Sequence, residues 1–217
     1  MLNYLATLFY PKFCRFCNVL ISQDSIFCLN CYSTIKPIVS RYLQVTPKKS
    51  MKVFAVSDYK DPLRRLVLKK AYSEILASKQ LAQILLEKTV IKNLDFDFIV
   101  PIPLHWTRYS RRGYNQANVM GMVLSKKLQK PVLNLLRRNR KTVFQAKLSN
   151  EKRHQNVKDV FDISFRYKFN DLSFLQNKNI LLIDDLCTTG ATLKSAARVL
   201  INFKPKTINS IVVCRVV

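Results

Sequence analysis

The 217-residue chain is 48% hydrophobic and 23% charged, close to the averages for soluble globular proteins, which excludes global disorder and accommodates one compact domain plus a small module. Its charge is far from average: 37 Lys and Arg against 13 Asp and Glu give +24, a field that concentrates polyanions such as nucleic acid, nucleotide phosphates or anionic lipid. No run approaches the roughly 20 apolar residues that span a bilayer, and the stretch from Met1 to Ala6 lacks the basic region of a secretion signal, so the expectation is a cytosolic protein without stable membrane insertion, at most peripheral at the inner face of the membrane.

In chain order, residues 1–40 come first, too few to bury a core unaided. They carry Cys14-x2-Cys17 and Cys28-x2-Cys31, with ten residues between the pairs. Two close pairs in a chain expected to stay in a reducing compartment favour a metal over disulfides. Four thiolates match the tetrahedral preference of Zn2+, and a site closed by four protein ligands has a structural or docking role. Lys12 and Arg15 are placed to bring a phosphate backbone to its surface. Residues 41–51, with Pro47-Lys48-Lys49 and no clear periodicity, read as a linker.

The main domain is expected over 52–217, opening on a strand at Val53–Val56. Continuous apolar runs at Phe98–Val100, Ile180–Ile183 and Ile211–Cys214 read as strands covered on both faces. Between them, helical spacing appears at Leu81–Leu86, at Ala117, Gly121, Leu124 and Leu128, and at Leu193, Ala196, Leu200 and Phe203. Strands alternating with helices predict an α/β fold with a mostly parallel sheet, whose ligands bind at the carboxyl ends of the strands. Ile180–Ile183 runs into Asp184-Asp185-Leu186-Cys187-Thr188-Thr189-Gly190-Ala191-Thr192 and then a helix. Backbone N–H groups, the helix dipole and threonine hydroxyls at such a turn converge on an anion, and Gly190 lets the backbone come close. Asp184 and Asp185 would repel a phosphate, so they face another part of the same ligand; vicinal ribose hydroxyls fit.

This loop resembles the binding motif for phosphoribosyl pyrophosphate (PRPP) in type I phosphoribosyltransferases, with Cys187 at a variable position. The resemblance implies that Asp184 and Asp185 hold the ribose hydroxyls, as the catalytic pair, while Thr188, Thr189, Gly190, Ala191 and Thr192 hold the 5′-phosphate. It also implies Mg2+ entering with PRPP. Cys187 has no histidine partner nearby in sequence and reads as a bland loop residue rather than a nucleophile, and Cys214 reads as core.

Between His105 and Lys158 lie fourteen Lys or Arg and one acid, Glu151, interleaved with Trp106, Tyr109, Tyr114 and Phe144. Cations beside aromatics suit a nucleic-acid single strand, and they equally suit a pyrophosphate leaving group. The block Val100-Pro101-Ile102-Pro103-Leu104-His105 with Arg108, Arg111 and Arg112-Gly113-Tyr114-Asn115-Gln116-Ala117 resembles the signature of the ComF competence family. So does Arg138 with Thr142, Gln145, Leu148, Arg153, Asn156 and Phe161. Joined to the cysteine pairs and the loop at Asp184, the resemblance covers nearly the whole chain and is nearest to ComFC-type members, which join a zinc finger to a phosphoribosyltransferase-like domain. It implies a DNA-uptake factor handling incoming single-stranded DNA, with a helicase-like partner in some bacteria. Arg108, Arg111, Arg112, Arg138 and Arg153 are then the candidates for pyrophosphate or DNA phosphates. Two other readings stay open: a salvage phosphoribosyltransferase with a small-molecule acceptor, and a scaffold with a vestigial PRPP site. No residue pattern identifies an acceptor.

Overall fold

The strands that are apolar on both faces become the middle of one sheet. The computed structural model describes residues 12–21, 25–69, 75–139 and 160–216. Its elements run β1 (Lys12–Phe13), β2 (Leu20–Ile21), α1 (Leu29–Ser33), β3 (Arg41–Thr46), β4 (Lys49–Asp58), α2 (Leu63–Lys69) and α3 (Ile75–Lys88). There follow β5 (Phe98–Pro101), α4 (Trp106–Arg112), α5 (Gln116–Leu128), β6 (Leu136–Arg138), β7 (Phe161–Ile163), β8 (Asn179–Cys187), α6 (Ala191–Ile201) and β9 (Thr207–Arg215). The five-stranded sheet has the order β3-β4-β9-β8-β5. All its neighbours are parallel except β3, which pairs antiparallel with β4 at one edge.

Alternation along the central strands assigns each face to its helices. Ile99, Leu181, Ile183, Ile211 and Val213 pack with Leu81 and Leu85 of α3 and Met120 and Leu124 of α5. The intervening residues Val100, Leu182 and Val212 pack on the other face with Leu193, Ala196, Ala197 and Leu200 of α6. Each large side chain buried this way contributes about 1.5–3 kcal/mol relative to exposure, which is why this pattern rather than local propensity decides the layers.

Two findings revise the expected boundaries. Residues 41–51 are not a linker: β3 and the start of β4 form a hairpin in which Leu43 pairs with Met51 and Arg41 with Val53. Leu43, Val45 and Met51 are all buried against α6. Only two apolar residues alternate in β3, and the helix covering them lies some 150 positions later, so tertiary contact makes this strand. The cysteine-bearing module does not stand apart from the sheet either. Cys14, Ile26, Phe27, Cys31 and Ile35 belong to the same core as α3. The Tyr32 hydroxyl donates to Glu87, Lys88 stacks over the Tyr32 ring at 4.2 Å, and Arg65 over Phe16 at 4.7 Å.

Candidate functional site

β8 delivers Asp184 and Asp185 half-buried at the carboxyl end of the sheet. Asp184 Oδ1 accepts from the backbone N–H of Asp185 at 2.8 Å, fixing the first carboxylate at the strand exit. Thr188 and Thr189 follow with exposed side chains, and the Thr189 hydroxyl accepts from Ala191 N–H at 3.4 Å. Gly190 caps α6 in the left-handed region, φ 77°. A Cβ there would lie 2.3 Å from Leu43 Cδ1, so glycine is required both by the backbone sign and by the strand packed against it. The loop therefore presents the amino end of an 11-residue helix, two threonines and two carboxylates to one space above the sheet.

The arginines come from elements that follow β5. His105 caps α4, its Nδ1 accepting from Thr107 N–H at 3.3 Å, and Gly113 ends the helix at φ 75°. Asn115 caps α5 through Ala117 N–H at 3.1 Å while its Nδ2 donates to the Ile102 carbonyl at 3.0 Å. These two caps fix the turn between β5 and α5, and with it the helix that carries Arg108 and Arg112. Arg138 lies on β6 opposite Phe161, its guanidinium 5.4 Å from that ring. Burial, then the charge of Arg108, lowers the Arg138 pKa, and Asp184 opposes them. Arg108, Arg138 and Asp184 thus share one electrostatic neighbourhood. Adjacent Arg137 is differently employed, bonded to Asp162 and Asn139 and stacked on Phe165. Trp106 and Tyr109 stand out from α4, 70% and 52% exposed. The side chain of Arg111 and all of Thr142, Phe144, Gln145, Leu148, Glu151, Arg153 and Asn156 lie outside the described residues.

Cys187 is buried beneath the loop, and burial, followed by the Asp184 charge, pushes its thiol up to about 11. A thiol so protonated at neutral pH is no nucleophile. Two cations oppose that shift, Arg215 and Arg41. Reading the sequence missed both. Arg215 had a signal, a charged residue closing an otherwise apolar strand; Arg41 stood in the stretch taken as linker.

At the other end of the chain, the sulfurs of Cys14, Cys17, Cys28 and Cys31 all lie within 4.8 Å of one another. A tetrahedral ion with bonds of about 2.3 Å sets its sulfurs roughly 3.8 Å apart, and Cys17 and Cys28 are at 3.6 Å. No disulfide joins any of the four. Burial raises the Cys14 thiol, but backbone N–H groups of Cys17, Cys28 and Phe16 outweigh it and bring it down to about 6. Cys31 N–H points at Cys28 Sγ at 3.5 Å. Burial and the neighbouring cysteine sulfurs push the Cys31 thiol up, a crowding that a shared dication relieves, so the four residues fit a Zn2+ ion.

A family model described as phosphoribosyl transferase domain matches residues 114–216. Competence protein F of Haemophilus influenzae is 37% identical over 103 residues, 47% of this chain and 43% of that protein. DNA utilization protein YhgH of Escherichia coli O157:H7 is 28% identical over 215 residues, 93% of this chain and 89% of that protein. Competence protein ComFC of Bacillus subtilis is 36% identical over 106 residues, 48% of this chain and 38% of that protein. The two competence proteins are thus matched over less than half of their own length. Among the described residues no helix is long and apolar enough to cross a membrane. With a four-cysteine cluster ahead of the segment that the phosphoribosyl transferase domain model matches, the chain is similar to Competence protein F, ComFC and YhgH.

Proposed function

We propose that this protein serves DNA uptake by binding single-stranded DNA on a basic surface and PRPP at the loop 184–192. The names of its homologues support the role in DNA handling. The observation that carries the PRPP reading is the joint placement of Asp184, Gly190 with its threonines, and the Arg108–Arg138 pair at one end of the sheet. In this reading the carboxylates of Asp184 and Asp185 accept from the ribose hydroxyls, and the loop N–H groups take the 5′-phosphate. Arg108 and Arg138, with Arg111 and Arg112 from the same helix, take the pyrophosphate or the DNA backbone; Arg153 is a further candidate. Mg2+ bound with PRPP would neutralise pyrophosphate charge. Exposed Trp106 and Tyr109 beside Arg108 and Arg112 give bases a stacking platform next to phosphate-neutralising cations.

The test is pyrophosphate release from Mg-PRPP by the zinc-loaded protein, with and without single-stranded DNA, alongside binding of both ligands. PRPP binding lost in Asp184→Asn/Asp185→Asn, and single-strand affinity that falls steeply with salt through counterion release, are expected. Release that DNA stimulates would make the protein an enzyme whose acceptor is in or near the strand. Absence of PRPP binding, or a salt-independent strand affinity, would overturn the proposal.

A further inference from the structure

Arg215 ends β9 as a residue only 8% exposed. Neither its Nε nor its Nη1 has a hydrogen-bond partner among the described residues. Guanidinium nitrogens withdrawn from water without acceptors are costly for a fold to hold, because their desolvation is uncompensated. Its surroundings show what would compensate it. In register, Arg215 lies between Asp58 on β4 and Cys187 on β8. Side chains at paired positions of parallel strands share a face, so Arg215 lies on the same face as Cys187, whose thiol the Gly190 N–H contacts. Asp58 is the obvious internal partner, yet its Oδ2 faces Lys60 Nζ at 3.5 Å and its Oδ1 is buried without a hydrogen bond. Among the described residues no ion pair joins Asp58 to Arg215. Arg41, entering from the edge strand, acts on the same thiol as Arg215. Both cations thus act on a thiol that the Gly190 N–H also faces, just before the exposed Thr188 and Thr189.

The position of this pair matters. Arg108 and Arg138 reach Asp184 from elements that follow β5, whereas Arg215 and Arg41 belong to β9 and β3, on the other side of β8 in the sheet order. The carboxylates stand between two cationic groups. That arrangement matches a ligand with an anion at each end and a diol between them.

We propose that Arg215, assisted by Arg41, is the side-chain anchor for the phosphate ester seated on the loop 188–192, and makes the site select sugars carrying a terminal phosphate. The inference rests on the PRPP reading of that loop and adds to it a residue that binds through charge, where the loop binds through backbone N–H groups.

The test uses the full zinc-loaded chain, with ribose 5-phosphate, inorganic pyrophosphate and Mg-PRPP as titrants, on wild type, Arg215→Met and Arg215→Lys. Losing charged hydrogen bonds to a phosphate should weaken ribose 5-phosphate and PRPP about 10- to 100-fold in Arg215→Met, with pyrophosphate changed less than about threefold and Arg215→Lys intermediate. Because Nε and Nη1 of Arg215 have no hydrogen-bond partner among the described residues, ligand-free Arg215→Met should melt at or above the wild-type temperature. A lower melting temperature or failure to fold would assign Arg215 to the structure, paired with Asp58, and overturn the inference. So would unchanged ribose 5-phosphate affinity, or a pyrophosphate affinity that falls as far as that for ribose 5-phosphate. If wild type binds none of the titrants, the PRPP reading itself falls; if wild type binds and Arg215→Met binds as well, only the anchor role falls.

Discussion

At the scale of single residues, the loop after β8 is defined as much by what lies beneath it as by its own sequence. Gly190 combines φ 77° with a virtual Cβ 2.3 Å from Leu43. Replacing it with Ala should cost about 1–2 kcal/mol for the left-handed backbone and about 1–3 kcal/mol for the overlap. The two parts separate in a double-mutant cycle measured by urea denaturation. Leu43→Ala relieves only the overlap, so the double variant should be less destabilised than the sum of the singles by roughly 1–3 kcal/mol. Strict additivity would show that the edge strand does not limit the loop. Cys187, a tempting reactive residue in the same loop, is closed off by burial and by Asp184.

At the scale of elements, the turn from β5 into α5 is held by a few side-chain bonds. Asn115 both caps α5 and satisfies the carbonyl of buried Ile102. Asn115→Ala removes a cap and leaves a carbonyl short of a donor, together about 2–3 kcal/mol. Asn115→Ser should recover the cap alone, and thermal denaturation of the two variants should rank them accordingly. The same scale shows what sequence could and could not convey. Continuous apolar runs at 98–100, 180–183 and 211–214 announced three central strands because both of their faces are buried. The acid pair, threonines and glycine after β8 announced their loop because all lie within nine positions of one strand–helix junction. The edge strand β3 carried too little apolar pattern of its own, since Leu43 and Val45 are covered by residues of α6 and β4. Arg138 and Phe161, grouped only by a family signature, prove to be direct cross-strand partners. Arg41 and Arg215 drew no attention because nothing near them in sequence says that both act on Cys187.

At the scale of the whole molecule, the cysteine module and the sheet share one core, so they should not melt independently. A Zn2+ ion held by the four cysteines would fix Cys14 and Cys31, which pack with Ile35 and Phe27 in the cluster that holds α3, and a chelator under reducing conditions would remove it. The expected outcome is one calorimetric transition shifted down by several degrees or more, not a small early transition with the main one unmoved. The latter would mean that the contacts of Tyr32 with Glu87 and Lys88 contribute little.

The strand order carries a consequence for synthesis. β9 is the central strand: it joins β3 and β4 on one side to β8 and β5 on the other. β4 ends at Asp58 and β9 begins at Thr207, so on a translating ribosome the hairpin must wait for its only parallel neighbour, on the order of ten seconds at usual elongation rates. During that interval the half-sheets present open edges with nothing to pair with, the condition under which nascent chains associate wrongly. Insertion of one strand then closes the sheet and sets Arg215 beside Cys187, so the carboxyl end of the sheet from which the loop 184–192 leaves is completed by the step that completes the fold.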